Sequence, residues 1–176
     1  MKTLAASLLA MALVGVALAQ TNAPTPAEWQ SIMLGTTLKV ECSIKPKKSS
    51  EQDYRDIEQP LKVFIAVNNR TSSSVNYSGD VFFLVSGNNN GIKAKDQQSS
   101  QFSVTSGSYT NLEFRASNHR EDVKIKLVTN WVGYIVRLSA YGTPLKTVAS
   151  SPALERLAKD ANRMAALEAG NTVPLK

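Results

Sequence analysis

The feature that most constrains this chain is a series of short runs in which apolar and polar residues alternate, each closed by a cluster of Gly, Asn, Ser or Asp. TTLKVECSI (36–44) sets Leu38, Val40, Cys42 and Ile44 against Lys39, Glu41 and Ser43, the period of a strand with one buried face. LKVFIAVNN (61–69) does the same with Leu61, Val63, Ile65 and Val67. DVFFLVS (80–86) is apolar on both faces, as an interior strand is. QFSVT (101–105), YTNLEFRA (109–116), VKIKLVTN (123–130), GYIVRLSA (133–140) and LKTVA (145–149) complete a set of about eight strands.

The intervening segments carry reversal chemistry: RTSSSVN (70–76), SGD (78–80), SGNNNG (86–91), TSGS (105–108) and ASNHRED (116–122). Gly and Asn tolerate the positive φ that lets antiparallel strands turn tightly. In YGTP the Gly142 turn joins two strands in a hairpin, with Pro144 at its mouth. The longer connection, 45–60, is polar and has room for a helical turn at DYRDI. Parallel strands need helical crossovers, and this pattern has none, so the expected class is all-β. The economical architecture is an immunoglobulin-like antiparallel β-sandwich over 36–149. It lacks the Cys, Trp, Cys core signature of antibody-type domains.

One helix follows. Ser151 reads as its N-cap and Pro152 as its first residue, where a missing N–H is harmless. Leu154, Leu157, Ala158, Ala161, Met164 and Ala165 form one stripe and Gly170 ends it, predicting a C-terminal amphipathic helix over 150–170 packed on or beside the sandwich, then a tail, 171–176.

The N-terminus has the form of an export signal. Lys2, the apolar run Leu4–Leu18 and the small residues Ala17 and Ala19 predict a signal peptide over 1–19 and an N-terminal arm over 20–35, docked by Trp29. No second such run occurs, so the expectation is an exported protein of the periplasm, outer surface or medium, with no transmembrane segment in the mature chain. The formal charge is +6, but its basic residues are scattered. KPKK (45–48) reads as a solvated loop, and no nucleic-acid partner is expected. A single Cys, Cys42, excludes an intramolecular disulfide and reads as a small buried apolar residue.

No catalytic constellation emerges. His119 is the sole histidine and no G-x-S-x-G elbow accompanies it. One His and one Cys cannot supply a zinc site, and Asp53, Asp56 and Glu58 read as a charged loop without the glycine of a calcium loop. The expectation is a non-enzyme with no metal and no cofactor. Trp29, Tyr54, Tyr77, Trp131 and Tyr141 are the candidate ligand or partner contacts, since rings with a polar edge suit wet interfaces; core or hairpin packing is the competing role for each. Asn69-Arg70-Thr71 and Asn76-Tyr77-Ser78 match glycosylation sequons.

The run G-Y-I-V-R-L…Y-G-x-P-L…S-S-P-A-L-E-R-L-A (133–158), with the signal peptide and strand-rich body before it, resembles small exported immunoglobulin-like proteins encoded beside type IV pilus-like genes in gut mucin-degrading bacteria. The resemblance implies a cell-surface or pilus-associated structural role and transfers no catalytic residues. The chain departs from a polymerising pilin, which carries a Gly cleavage site before an apolar helix with a glutamate near its start. Expected partners are proteins of the cell envelope or host surface, and the alternative is a carbohydrate-binding module for extracellular glycans.

Overall fold

The computed structural model describes residues 23–43, 62–116 and 131–175. The predicted signal peptide, the 45–60 connection with Tyr54 and its acidic neighbours, His119 and the 123–130 strand lie outside the described residues. Within them the chain is an all-β sandwich carrying a C-terminal helical region. In chain order it forms α1 (Pro26–Gly35), β1 (Thr36–Cys42), β2 (Lys62–Asn69), β3 (Val75–Ser86), β4 (Gly91–Val104), β5 (Tyr109–Arg115), β6 (Trp131–Ala140), β7 (Thr143–Ala149), α2 (Pro152–Ala158), α3 (Ala161–Glu168) and β8 (Val173–Pro174). One sheet has the order β1-β2-β5 and the other β7-β6-β3-β4-β8, with every pairing antiparallel.

Two cores result. Val63, Ile65 and Val67 from β2 meet Val81, Phe83, Val136 and Leu138 from β3 and β6 between the sheets, and Leu38, Val40, Cys42 and Leu112 pack around them. On the other side of the five-stranded sheet, Phe82, Leu84 and Ile135 meet Leu154, Leu157, Met164 and Leu167 of α2 and α3. β3 and β6 are therefore buried on both faces, which accounts for the unbroken run VFFLV.

Several boundaries differ from the sequence reading, each for a local reason. SGD is no turn: β3 runs through it, and buried Gly79 lets Ile65 Cδ1 come to 3.1 Å of where a Cβ would stand. β4 begins at Gly91 rather than Gln101, because KAKDQQSS has no apolar period yet pairs with β3 along its length. The predicted arm holds a helix, α1. Thr25 and Glu28 cap each other reciprocally and Pro26 opens the first turn, a T-x-x-E signal that apolar periodicity passes over. The predicted single C-terminal helix is two, because Asp160 accepts from the N–H groups of Asn162 and Arg163 and starts α3 afresh. The break rephases the stripe, so Leu167 is buried while Ala161 and Ala165 are exposed.

Two of the expected turns show that reversal chemistry. Asn89 and Asn90 take φ of 55° and 56° beside Gly91. Tyr141 and Gly142, at 49° and 78°, form the two-residue connection between β6 and β7, the primed turn that matches strand twist.

Candidate functional site

One end of the sandwich gathers α1, residues 70–74, residues 105–108 and the Tyr141-Gly142 turn. Buried Asn69, the last residue of β2, organises it. Its side-chain amide donates to the carbonyls of Ser73 (2.8 Å) and Val104 (2.9 Å), and its Oδ1 accepts from Thr71 N (3.0 Å) and Thr71 Oγ1 (2.7 Å). Ser106 Oγ adds a bond to the Thr71 carbonyl, 2.6 Å long. With both ends of its amide engaged, Asn69 is a structural anchor and its sequon is closed to modification in the fold. α1 joins the same end through buried Ile32 and half-buried Trp29, and its Glu28 carboxyl is held below the ordinary glutamate pKa by the Thr25 backbone N–H, with the Thr25 hydroxyl assisting.

Tyr141 is the unusual member. The first position of a primed turn favours Asn, Asp or Gly, because a Cβ at positive φ is strained. Tyr141 nevertheless holds that position, at φ 49°. Its N–H donates to the Asn76 carbonyl (3.2 Å) and its hydroxyl makes a long contact to the Ser74 carbonyl (3.4 Å). Tyr141 borders two hollows. The first, of about 520 Å³, lies over β3 and β4 and is lined by Asn76, Tyr77, Ser78, Gln101, Phe102 and Gly142. The second, of about 430 Å³, lies between α1 and residues 71–73 and includes Glu28, Ser31 and Ile32.

The candidate aromatics divide accordingly. Tyr141 and Tyr77 border the same hollow, but Tyr77 is 3% exposed, its ring stacked on Phe102 at 5.7 Å between centroids. Trp29 docks α1 onto the inter-sheet core. Trp131 sits at the far end of β6, 6.4 Å from the Phe83 ring and buried, its Nε1 without a hydrogen-bond partner among the described residues. Tyr54 lies outside the described residues. The sequence thus pointed to Tyr141 by residue type, but the amides that surround it gave no signal, because Asn76 and Gln101 come together only through the β3–β4 register.

Among the described residues no group of three or more His, Cys, Asp or Glu is placed to hold a metal ion, and no helix is long and apolar enough to cross a membrane.

No family model and no curated protein matches the chain. Solved structures give distant likenesses. A Pseudomonas fluorescens alkylpurine DNA glycosylase bound to DNA with an abasic site analogue aligns at TM-score 0.36 and 8% identity, over 65% of this chain and 29% of that one. A Streptomyces venezuelae β-glucosidase in complex with D-glucose aligns at 0.33 and 12%, over 65% and 14%. A protein from Akkermansia muciniphila aligns at 0.31 and 8%, over 66% and 71%. The chain thus spans under a third of the first two, and likenesses this distant carry no argument about activity.

Proposed function

We propose that this chain is an exported, non-enzymatic immunoglobulin-like module that acts by contact in cell-surface or pilus-associated architecture or adhesion, and that the Tyr141 end of the sandwich makes the contact. The observation that carries this reading is the strained placement of Tyr141 between two hollows, on loops fixed by Asn69. A rigid scaffold that presents loops and one aromatic side chain is the usual design of a recognition surface. Export is supported by the basic, apolar and small-residue order of residues 1–19. The pilus-associated setting is supported by the sequence resemblance over 133–158.

A photo-crosslinking amino acid at the exposed position Ser72, expressed in the native host, tests this. The reading expects a discrete adduct with one envelope component, absent when the same probe stands at exposed Lys93 at the far end of β3–β4. Identical adduct patterns from both positions, or an unprocessed protein retained in the cytoplasm, overturn it.

A further inference from the structure

We infer that the open edge of β1 docks a second copy of this chain, the two β1 strands pairing antiparallel with Val40 opposite Val40. This contact uses a different element from the Tyr141 turn and stands independently of the role proposed for that turn.

β1 ends the three-stranded sheet, and among the described residues no strand pairs with its outer side. The direction of its main chain follows from its two ends. The Gly35 carbonyl accepts from Arg70 N–H, Ser43 N–H donates to the Lys62 carbonyl, and the register between them is unbroken, so Thr37, Lys39 and Glu41 turn their N–H and C=O groups toward β2. Leu38 and Val40 therefore turn theirs to the open edge. Their side chains pack against the inter-sheet core yet stay half-buried, whereas Val63, Ile65 and Val67, one strand further in, are at most 1% exposed. Edge hydrogen-bonding groups and half-covered apolar side chains thus belong to the same residues.

The charges on β1 say what fits that edge. Lys39 and Glu41 stand on the outer face, their side chains 75% and 65% exposed and their Nζ and Oε1 atoms 2.7 Å apart. An antiparallel copy centred on Val40 brings edge groups to edge groups and lays Leu38 beside Cys42 of the second copy on the core side. The same register sets Lys39 opposite Glu41 of the second copy, and Glu41 opposite its Lys39, at the closely spaced positions where cross-strand side chains interact most. Each ammonium then sits between two carboxylates. A two-residue slip opposes Lys39 to Lys39 or Glu41 to Glu41, so the charges also fix the register. The other edges are blunted: β7 carries Pro144 and an irregular pairing with β6, β8 is two residues long, and the Arg115 carbonyl at the end of β5 accepts from Gln98 Nε2. β1 has no Pro, Gly or bulge.

The test is sedimentation of the mature protein, residues 20–176, over a concentration series reaching millimolar, with hydrogen exchange beside it. The expected result is a reversible dimer in which the Leu38 and Val40 amides exchange more slowly as the protein is concentrated. Glu41→Lys and Lys39→Glu, each at a well-exposed site, are expected to weaken the dimer about tenfold or more, since two-fold symmetry reverses both pairs at once. Mixing the two variants restores complementary pairing, and so does combining both substitutions in one chain. A monomer throughout, a dimer indifferent to the single reversals, or a loss that neither mixing nor the combined variant repairs overturns the inference. A chain that takes a foreign strand peptide at β1 but never pairs with itself does so too. Ser72 borders the second hollow, so its crosslink reads the Tyr141 end whatever the dimer does.

Discussion

Thr36 Oγ1 and Tyr77 Oη lie 2.8 Å apart and share a buried hydrogen bond that joins the first strand of one sheet to the third strand of the chain, in the other. Thr36 is fully buried, so its hydroxyl has no water to turn to. Tyr77→Phe strands it and is expected to destabilise the fold by about 1–3 kcal/mol. Thr36→Val combined with Tyr77→Phe removes both polar groups, so the double variant is expected to lose clearly less than the sum of the single losses. Urea unfolding of the four proteins measures the coupling.

The same burial sets an alkaline limit. Burial raises the Tyr77 phenol pKa, outweighing the lowering by the Thr36 bond, with Tyr141 a smaller raising influence. Tyr134 is raised by burial first and by Cys42 second. A raised folded-state pKa contributes stability that is intact below the unfolded tyrosine value and is lost as pH rises through the folded one. Stability is therefore expected to fall above the ordinary tyrosine range, as Tyr77 and Tyr134 ionise. Phenolate absorbance followed alongside circular dichroism, in the protein and in its Tyr77→Phe and Tyr134→Phe variants, measures this; ionisation of either phenol in the ordinary range while the protein stays folded contradicts it.

Gly133 holds the junction between the sheet and its helical cover. At φ 153° it lets Ser150 accept from Tyr134 N (3.0 Å), and a Cβ there would come within 2.8 Å of Leu154 Cδ1 and closer still to Ser150 Oγ. Gly133→Ala is expected to cost about 2–4 kcal/mol through strain and displacement of α2. Gly107→Ala is the comparison: its φ of 70° is also left-handed but no neighbour lies within 4 Å, so it isolates the backbone part.

Arg137 ties the helical layer to the sheet. It bonds Glu168 Oε1 at 2.7 Å and Asp80 Oδ2 at 3.3 Å, with its guanidinium 5.7 Å from the centre of the Phe82 ring. At 27% side-chain exposure the network is partly screened, so Arg137→Ala is expected to cost about 1–2 kcal/mol. Arg137→Lys restores charge without the fork and should recover less than half. Faster amide exchange across 161–168 in Arg137→Ala is the local readout.

What the sequence made legible was burial period. Val63, Ile65 and Val67 face the inter-sheet core as their alternation requires, and DVFFLVS reads as an interior strand because helices cover its second face. What stayed hidden depends on partners rather than period. KAKDQQSS is strand only because β3 needs a neighbour, and Leu167 replaces Ala165 only because Asp160 restarts the helix. Of the residues around the first hollow, Tyr77 and Tyr141 stood out in the sequence by residue type; Asn76 and Gln101 did not, since polar residues at strand spacing signal exposure without saying what they face together.

The pairing of β3 with β6 has a consequence for the order in which the chain can fold. Tyr77 meets Ala140 and Phe83 meets Tyr134, so the middle of the larger sheet closes only when residues far apart in the chain are both on hand. Such non-local closure is slow, and an emerging N-terminal portion lacks the partner that would lock it. A chain threaded through a membrane N-terminus first would thus stay pliable until its last third arrives on the far side.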